Sequence, residues 1–173
     1  ILKREGCYAD FTFPNMSGPM SPEYPNINSI FYAVDDNFPA SYQNLSNVFP
    51  VEVNRPPMNN LMIIQGPKTS TNIGVKPYVY YDSPNIRRMN EWVNKNVHVI
   101  DNNDWVFVKV YTHGLDCDVT VPETWDSYFG DEIDNFYSDV ERKYNDGTNW
   151  KLHYASAREM YNIVKAAEAG KKG

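Results

Sequence analysis

Trp105-Val-Phe-Val-Lys-Val-Tyr111, followed by Thr112-His113-Gly114, is the stretch that decides the fold. Apart from Lys109 the run is continuously apolar, the pattern of a strand covered on both faces rather than one with a wet side. The elements around it alternate. Before it, Pro84 follows Ser83 as first helical residue and N-cap, and Ile86, Met89, Trp92 and Val93 fall at helical spacing, so a helix is expected from there to about Asn96. After it, Ile133, Phe136, Tyr137, Val140 and Tyr144 form one apolar stripe within 123–146, which Gly147 stops and whose first turn Gly130 interrupts. Trp150 to Ala155 then reads as a short strand. Ser156-Ala-Arg-Glu159 reads as a capping box opening a last helix through Met160, Ile163, Val164 and Ala167 to Gly170. Strand and helix alternating through short links predict an α/β fold of parallel βαβ units, a partial or irregular (β/α) barrel.

The first half is less regular. Cys7–Phe13, Ser29–Val34 and Leu61–Ile64 are expected strands, with a weaker extended piece over Lys76–Tyr81. The segments 14–28 and 35–60 are long, Pro-rich connections of the kind that is functional or mobile. At 173 residues the chain suits a single domain, 1–173. Its opening Ile1-Leu-Lys-Arg-Glu-Gly6 resembles the last turn of a helix closed by glycine, so further elements are expected ahead of Ile1.

Composition narrows the partners. A net charge of −6 disfavours a nucleic-acid backbone, whose binding depends on Lys and Arg releasing counterions. No stretch approaches the roughly 20 apolar residues that span a bilayer, and 1–6 lack the apolar run of a signal peptide, so a soluble, cytoplasmic chain is expected. Cys7 and Cys117 have neither disulfide-scaffold nor metal-ligand spacing. The 13 Tyr and 4 Trp supply apolar area with polar tips, which suits a wet cleft or partly buried core positions.

Ligands of parallel α/β folds bind at the carboxyl ends of the strands, which selects His113, His153 and Asp10. His113 leads, because Gly114 beside it admits close approach and imidazole titrates near neutrality. The competing reading makes it a structural residue at the strand end. His153 has a packed alternative inside its strand, and His98 reads as the solvated end of a helix. Asp116 and Asp118 could orient the His113 imidazole or ligate a metal, and Asp101 and Asp104 flank the strand's other end; all four also read as solvated loop acids. The Asp35-Asp36 pair fits a turn as well as a cation site. There is no His-x-x-x-His, His-Glu-x-x-His, phosphate-cradling glycine loop, nucleophile elbow or calcium loop.

CYADFTFP (7–14), NSIFYAVDD (28–36), LMIIQGP (61–67), DWVFVKVYTHG (104–114) and HYASAREMYNIVKAAEAG (153–170) together resemble the carboxyl-terminal part of polysaccharide deacetylase-like proteins of bacterial surface-polysaccharide loci. That resemblance implies an irregular seven-stranded (β/α) barrel that removes N-acetyl groups from sugars with a divalent metal such as zinc. In that family an Asp and a His-x-x-x-His pair hold the metal, a second Asp is the base, and a late-strand Leu-His supplies the acid. Thr112-His113 stands where Leu-His would be, with Thr for Leu, so His113 is the implied catalytic acid. Asp10, Trp105 and His153 are the expected substrate contacts, carbohydrate is the expected partner, and the metal ligands are expected before Ile1. Two alternatives are a non-catalytic carbohydrate-binding or assembly domain with the same fold, and a structural fragment that forms a homodimer through exposed sheet edges.

Overall fold

The computed structural model describes residues 1–12, 28–33, 48–55, 60–67, 85–110 and 130–173. Within them the apolar runs of the first half form one four-stranded sheet: β1 (Ala9–Asp10), β2 (Ile30–Ala33), β3 (Val48–Pro50) and β4 (Leu61–Ile64), in spatial order β1-β4-β2-β3. β1 and β4 run parallel, with Ala9 opposite Met62 and Asp10 opposite Ile63. β2 is antiparallel to both β3 and β4, with Phe31 opposite Pro50 on one side and Ile63 on the other. The sheet is therefore mixed, not built of parallel units throughout. β3 had no signal in the sequence, and its Pro50 is tolerated because β3 ends the strand order. Beyond it the chain keeps pairing: Ile100 N–H donates to Val51 O and Val53 N–H to Ile100 O.

Period-two alternation sorts the strand residues onto two faces. Ile30, Tyr32, Met62 and Ile64 face a core shared with Val51, Val97, Val99, Phe107 and, from the last helix, Val164 and Ala167. Phe31 and Ile63 pack on the opposite face with Ala33 and Leu61. Asp10, opposite Ile63, shares that second face by register.

Three helices follow: α1 (Ile86–Asn94), α2 (Asp131–Tyr144) and α3 (Ala157–Glu168). The cap of α1 is Asn85, whose side chain accepts from Arg88 N–H, rather than Ser83; 83 and 84 lie outside the described residues. Gly130 does not break α2 but stands at its N-cap, ahead of Asp131, Glu132 and Asp134, with Arg142 and Lys143 in the last turn, a charge order that suits the helix dipole. α3 opens on the expected capping box: Ser156 Oγ accepts from Glu159 N–H and the Glu159 carboxylate accepts from Ser156 N–H. Trp92 of α1 is fully buried and meets Phe136 of α2 edge-on at 6.3 Å, and Met89, Val93, Val140 and Tyr144 complete this second core.

The segment 105–110 runs between the two cores. Trp105 and Phe107 pack into the first and Val106 and Val108 into the second. It is covered on both sides, as its sequence predicts, yet it is assigned to no strand; Phe107 N–H donates to Val97 O at 2.8 Å. The reading of 150–155 as a strand is also corrected. Trp150 N–H and Leu152 N–H are taken by the side chains of Asp146 and Asn145, so this stretch belongs to the loop after α2.

Candidate functional site

Because β1 and β4 are parallel, their carboxyl ends reach the same edge of the sheet. Asp10 closes β1 there: its Oδ1 accepts from Thr12 N–H at 2.7 Å and from Thr12 Oγ1 at 2.6 Å, an Asx turn that fixes where the strand stops. Gln65 follows β4 immediately and is fully buried, and neither atom of its amide has a hydrogen-bond partner among the described residues. Lys109 reaches the same edge. Only 9% exposed, it donates from Nζ to Phe11 O at 2.6 Å and so ties the 105–110 segment to the end of β1 across 98 residues of sequence. A buried ammonium is costly unless its protons are bonded, which accounts for a carbonyl partner in an otherwise apolar run.

A cleft of about 900 Å³ begins at Phe11 and Lys109 and extends along 105–110 toward α2 and the loop that follows it. Trp105 and His153 line it together, their ring centres 6.0 Å apart, with Trp105 half-buried and its Nε1–H donating to Lys171 O at 3.3 Å. His153 is exposed rather than packed in a strand. Asp10 is absent from the cleft's described lining. The expected substrate contacts thus fall in two places, with Trp105 and His153 in one and Asp10 in the other.

The loop that sets the far wall is organised by one carboxylate. Asp146 accepts from Trp150 N–H (3.0 Å), Asn149 Nδ2 (3.0 Å), Thr148 N–H (2.9 Å) and Asn149 N–H (2.8 Å), with Gly147 turning at φ +71°. These donors, the Trp150 amide foremost, hold its carboxyl well below the usual carboxylate range. The backbone of Thr148, Asn149 and Trp150 is thereby held on the Asp146 carboxylate. Tyr154 donates to Glu141 Oε1 at 3.2 Å, and partial burial together with that neighbouring carboxylate pushes its hydroxyl up to about 12.

His113, the expected acid, lies outside the described residues, as do Gly114, Asp116, Cys117, Asp118 and the Asp35-Asp36 pair. His98 touches Asn96 O through Nδ1, and Asp104 lies 3.9 Å from Lys172 Nζ at the exposed carboxyl terminus. Among the described residues no group of three or more His, Cys, Asp and Glu side chains could hold a metal ion. No helix of the described residues is long and apolar enough to cross a membrane. A scan of protein-family models, a search of curated proteins and a search of solved structures each returned no match for this chain.

Two features escaped the sequence reading. Gln65 gave no signal beyond sitting after an apolar run. The other is a buried polar triad beneath α3: Tyr32 OH donates to Glu168 Oε1 at 2.9 Å and accepts from Lys165 Nζ at 2.9 Å, while Lys165 and Glu168 form an ion pair. Burial, ahead of the opposing pulls of Lys165 and Glu168, pushes Tyr32 up to about 12. Only the three-residue spacing of Lys165 and Glu168 was visible; Tyr32 lies more than 130 positions away.

Proposed function

We propose that this chain is part of a metal-dependent carbohydrate N-deacetylase of polysaccharide biosynthesis, on a (β/α) barrel of the polysaccharide deacetylase type. The observation that carries the reading is the Lys109–Phe11 bond. It brings the segment leading to His113 against the carboxyl end of the β1–β4 parallel pair, beside Asp10 and at the mouth of a cleft. The chemistry is amide hydrolysis: the oxygen of a water adds to the acetyl carbonyl carbon while a carboxylate base takes one of its protons, the C–N bond breaks with its electron pair passing to nitrogen, that nitrogen takes a proton from His113 and leaves as the amine, and acetate departs, the proton on the base returning to His113. A divalent metal, zinc foremost, belongs to the proposal. Among the described residues, the side chains do not make up its ligand set.

The test is acetate release from N-acetylated oligosaccharides by the metal-loaded protein and its His113→Ala variant. Loss of at least 100-fold in kcat, with the melting temperature unchanged, is expected of a general acid, whose contribution is typically about 10²–10⁴-fold. Activity equal to wild type removes His113 from the mechanism. A second reading, a carbohydrate-binding module without catalysis, is favoured by the exposed rings along the cleft; sugar binding with no acetate release in any metal would select it.

A further inference from the structure

The chain that follows α3 comes back onto the cleft. Gly170, at φ +76°, closes the helix: its N–H donates to Ala167 O at 2.9 Å and the Lys171 N–H donates to Ala166 O at 3.0 Å, the paired bonds of a glycine-closed helix end. Two side chains then catch the Lys171 carbonyl. Asn102, only 7% exposed, donates from Nδ2 to Ala167 O and to Lys171 O, both at 3.0 Å, and Trp105 Nε1–H donates to the same Lys171 O at 3.3 Å. This part of the chain is firmly anchored, because releasing it would strip acceptors from a buried amide. Beyond Lys171 the hold changes. A Cβ at Gly173 would stand 3.4 Å from Cε2 and 3.5 Å from Cζ2 of Trp105, so Gly173 lies against that ring, and it lines the cleft there. Lys172 Nζ is 3.9 Å from Asp104 Oδ2, with the two side chains 85% and 46% exposed. An exposed ion pair contributes little to holding a chain in place, so 172–173 are the weakly held tip of a firmly held stem.

We propose that Lys172 and Gly173 form a latch over Trp105, hinged at the Lys171 carbonyl. Closed, as here, it keeps a ligand off the ring that stands beside His153 in the cleft; open, it bares that ring without disturbing α3 or either core. The bond from Trp105 Nε1–H to Lys171 O belongs to the stem and persists in both states, so the indole stays fixed while its Cε2–Cζ2 side is covered or bare. Closure through an exposed ion pair makes the latch sensitive to salt. A ring that is free about one-third of the time lowers the apparent affinity of whatever stacks on it about threefold. By reciprocity, a ligand that takes the ring drives Gly173 off it by the same factor. The inference rests on the cleft being the ligand site, as in the reading above, and not on the reaction at His113.

The experiment uses protein labelled with 6-fluorotryptophan, whose fluorine stands next to Cζ2, with Trp105→Phe assigning the Trp105 line. Relaxation of that line by dissolved oxygen measures how bare the ring is, and its shift on adding 4-nitroacetanilide, a neutral aromatic amide, measures binding. A chain ending at Lys171 should relax faster and bind the probe about threefold more tightly than the unaltered protein. Lys172→Glu, which sets like charges against each other at Asp104, should move both readings the same way, and adding Asp104→Lys should return them. Salt at about 0.5 M should mimic Lys172→Glu in the unaltered protein and change nothing in the chain ending at Lys171. The Trp105 indole N–H should exchange slowly throughout and the melting temperature should hold, which separates opening of the latch from loosening of α3. Equal relaxation in all variants overturns the latch. So does a Trp105 line that 4-nitroacetanilide leaves unmoved in the chain ending at Lys171, or a charge reversal that leaves the ring as bare as Lys172→Glu alone. Release of 4-nitroaniline reports on the deacetylase reading separately, and no outcome for the latch depends on it.

Discussion

Lys165→Met is the substitution whose effect the structure sets most tightly. Glu168 is 5% exposed and Tyr32 2%, and the Lys165 ammonium is the charge that balances the Glu168 carboxylate beneath α3, while its Nζ also lies 5.5 Å from the centre of the Tyr32 ring. Removing one partner of a fully buried ion pair costs about 3–5 kcal/mol, most of it the charge left behind. The Lys165 side chain is 29% exposed, so water reaches part of the vacated space, and the expected loss falls to about 2–3 kcal/mol. For a chain of this length each kcal/mol moves the melting temperature by about 2–4 °C, so a drop of about 4–12 °C is expected. Met fills the methylene volume, which keeps the packing of Val164 and Ala167 out of the comparison. Urea unfolding of wild type, Lys165→Met, Glu168→Gln and the double variant gives the coupling directly. If Lys165→Met costs less than about 0.5 kcal/mol, or costs as much in the Glu168→Gln background as in wild type, the triad does not hold α3 to the sheet.

Two further outcomes follow from the loop and the last helix. The Asp146 carboxyl is held below its unfolded value, so its support of the loop is complete above about pH 4 and fades as pH falls toward the folded-state value; the amides of Thr148, Asn149 and Trp150 should exchange faster in acid before the helices melt, and Asp146→Ala should show the same fast exchange at pH 7. Unchanged protection in the variant would show that other contacts fix the loop. Ser156→Ala removes the capping bond to Glu159 N–H and should cost about 1 kcal/mol in urea unfolding; a cost within error of zero would mean the capping box adds nothing to a helix already pinned by Val164 and Ala167.

How much of this was legible depended on whether the signal was local. Leu61–Ile64 was readable to the residue because a β-rich run between turn residues has few other fates, and the α3 cap was readable because Ser156 and Glu159 are three apart. Covering of 105–110 on both faces was readable from an apolar pattern interrupted only by Lys109, but the absence of ladder pairing was not, since pattern reports burial and not which backbone groups pair. Strand direction is a property of long connections, so the antiparallel β2–β4 pair has no local signature, and the alternating second half points to parallel units instead. Trp150–Ala155 is rich in aromatic and β-prone residues, but the side chain of Asp146 takes backbone donors that a ladder would use. At the candidate site, Asp10, Trp105 and His153 are the expected substrate contacts; that Trp105 and His153 line the cleft while Asp10 stands outside its described lining is a division no local pattern encodes.

Acetate release from an N-acetylglucosamine oligomer, measured for the metal-loaded protein against the same protein treated with a chelator, bears most directly on the deacetylase reading. Release that is lost with the chelator and restored by zinc is the expected result. Oligomer bound in the cleft and recovered with every acetyl group intact, whichever divalent metal is supplied, would contradict it.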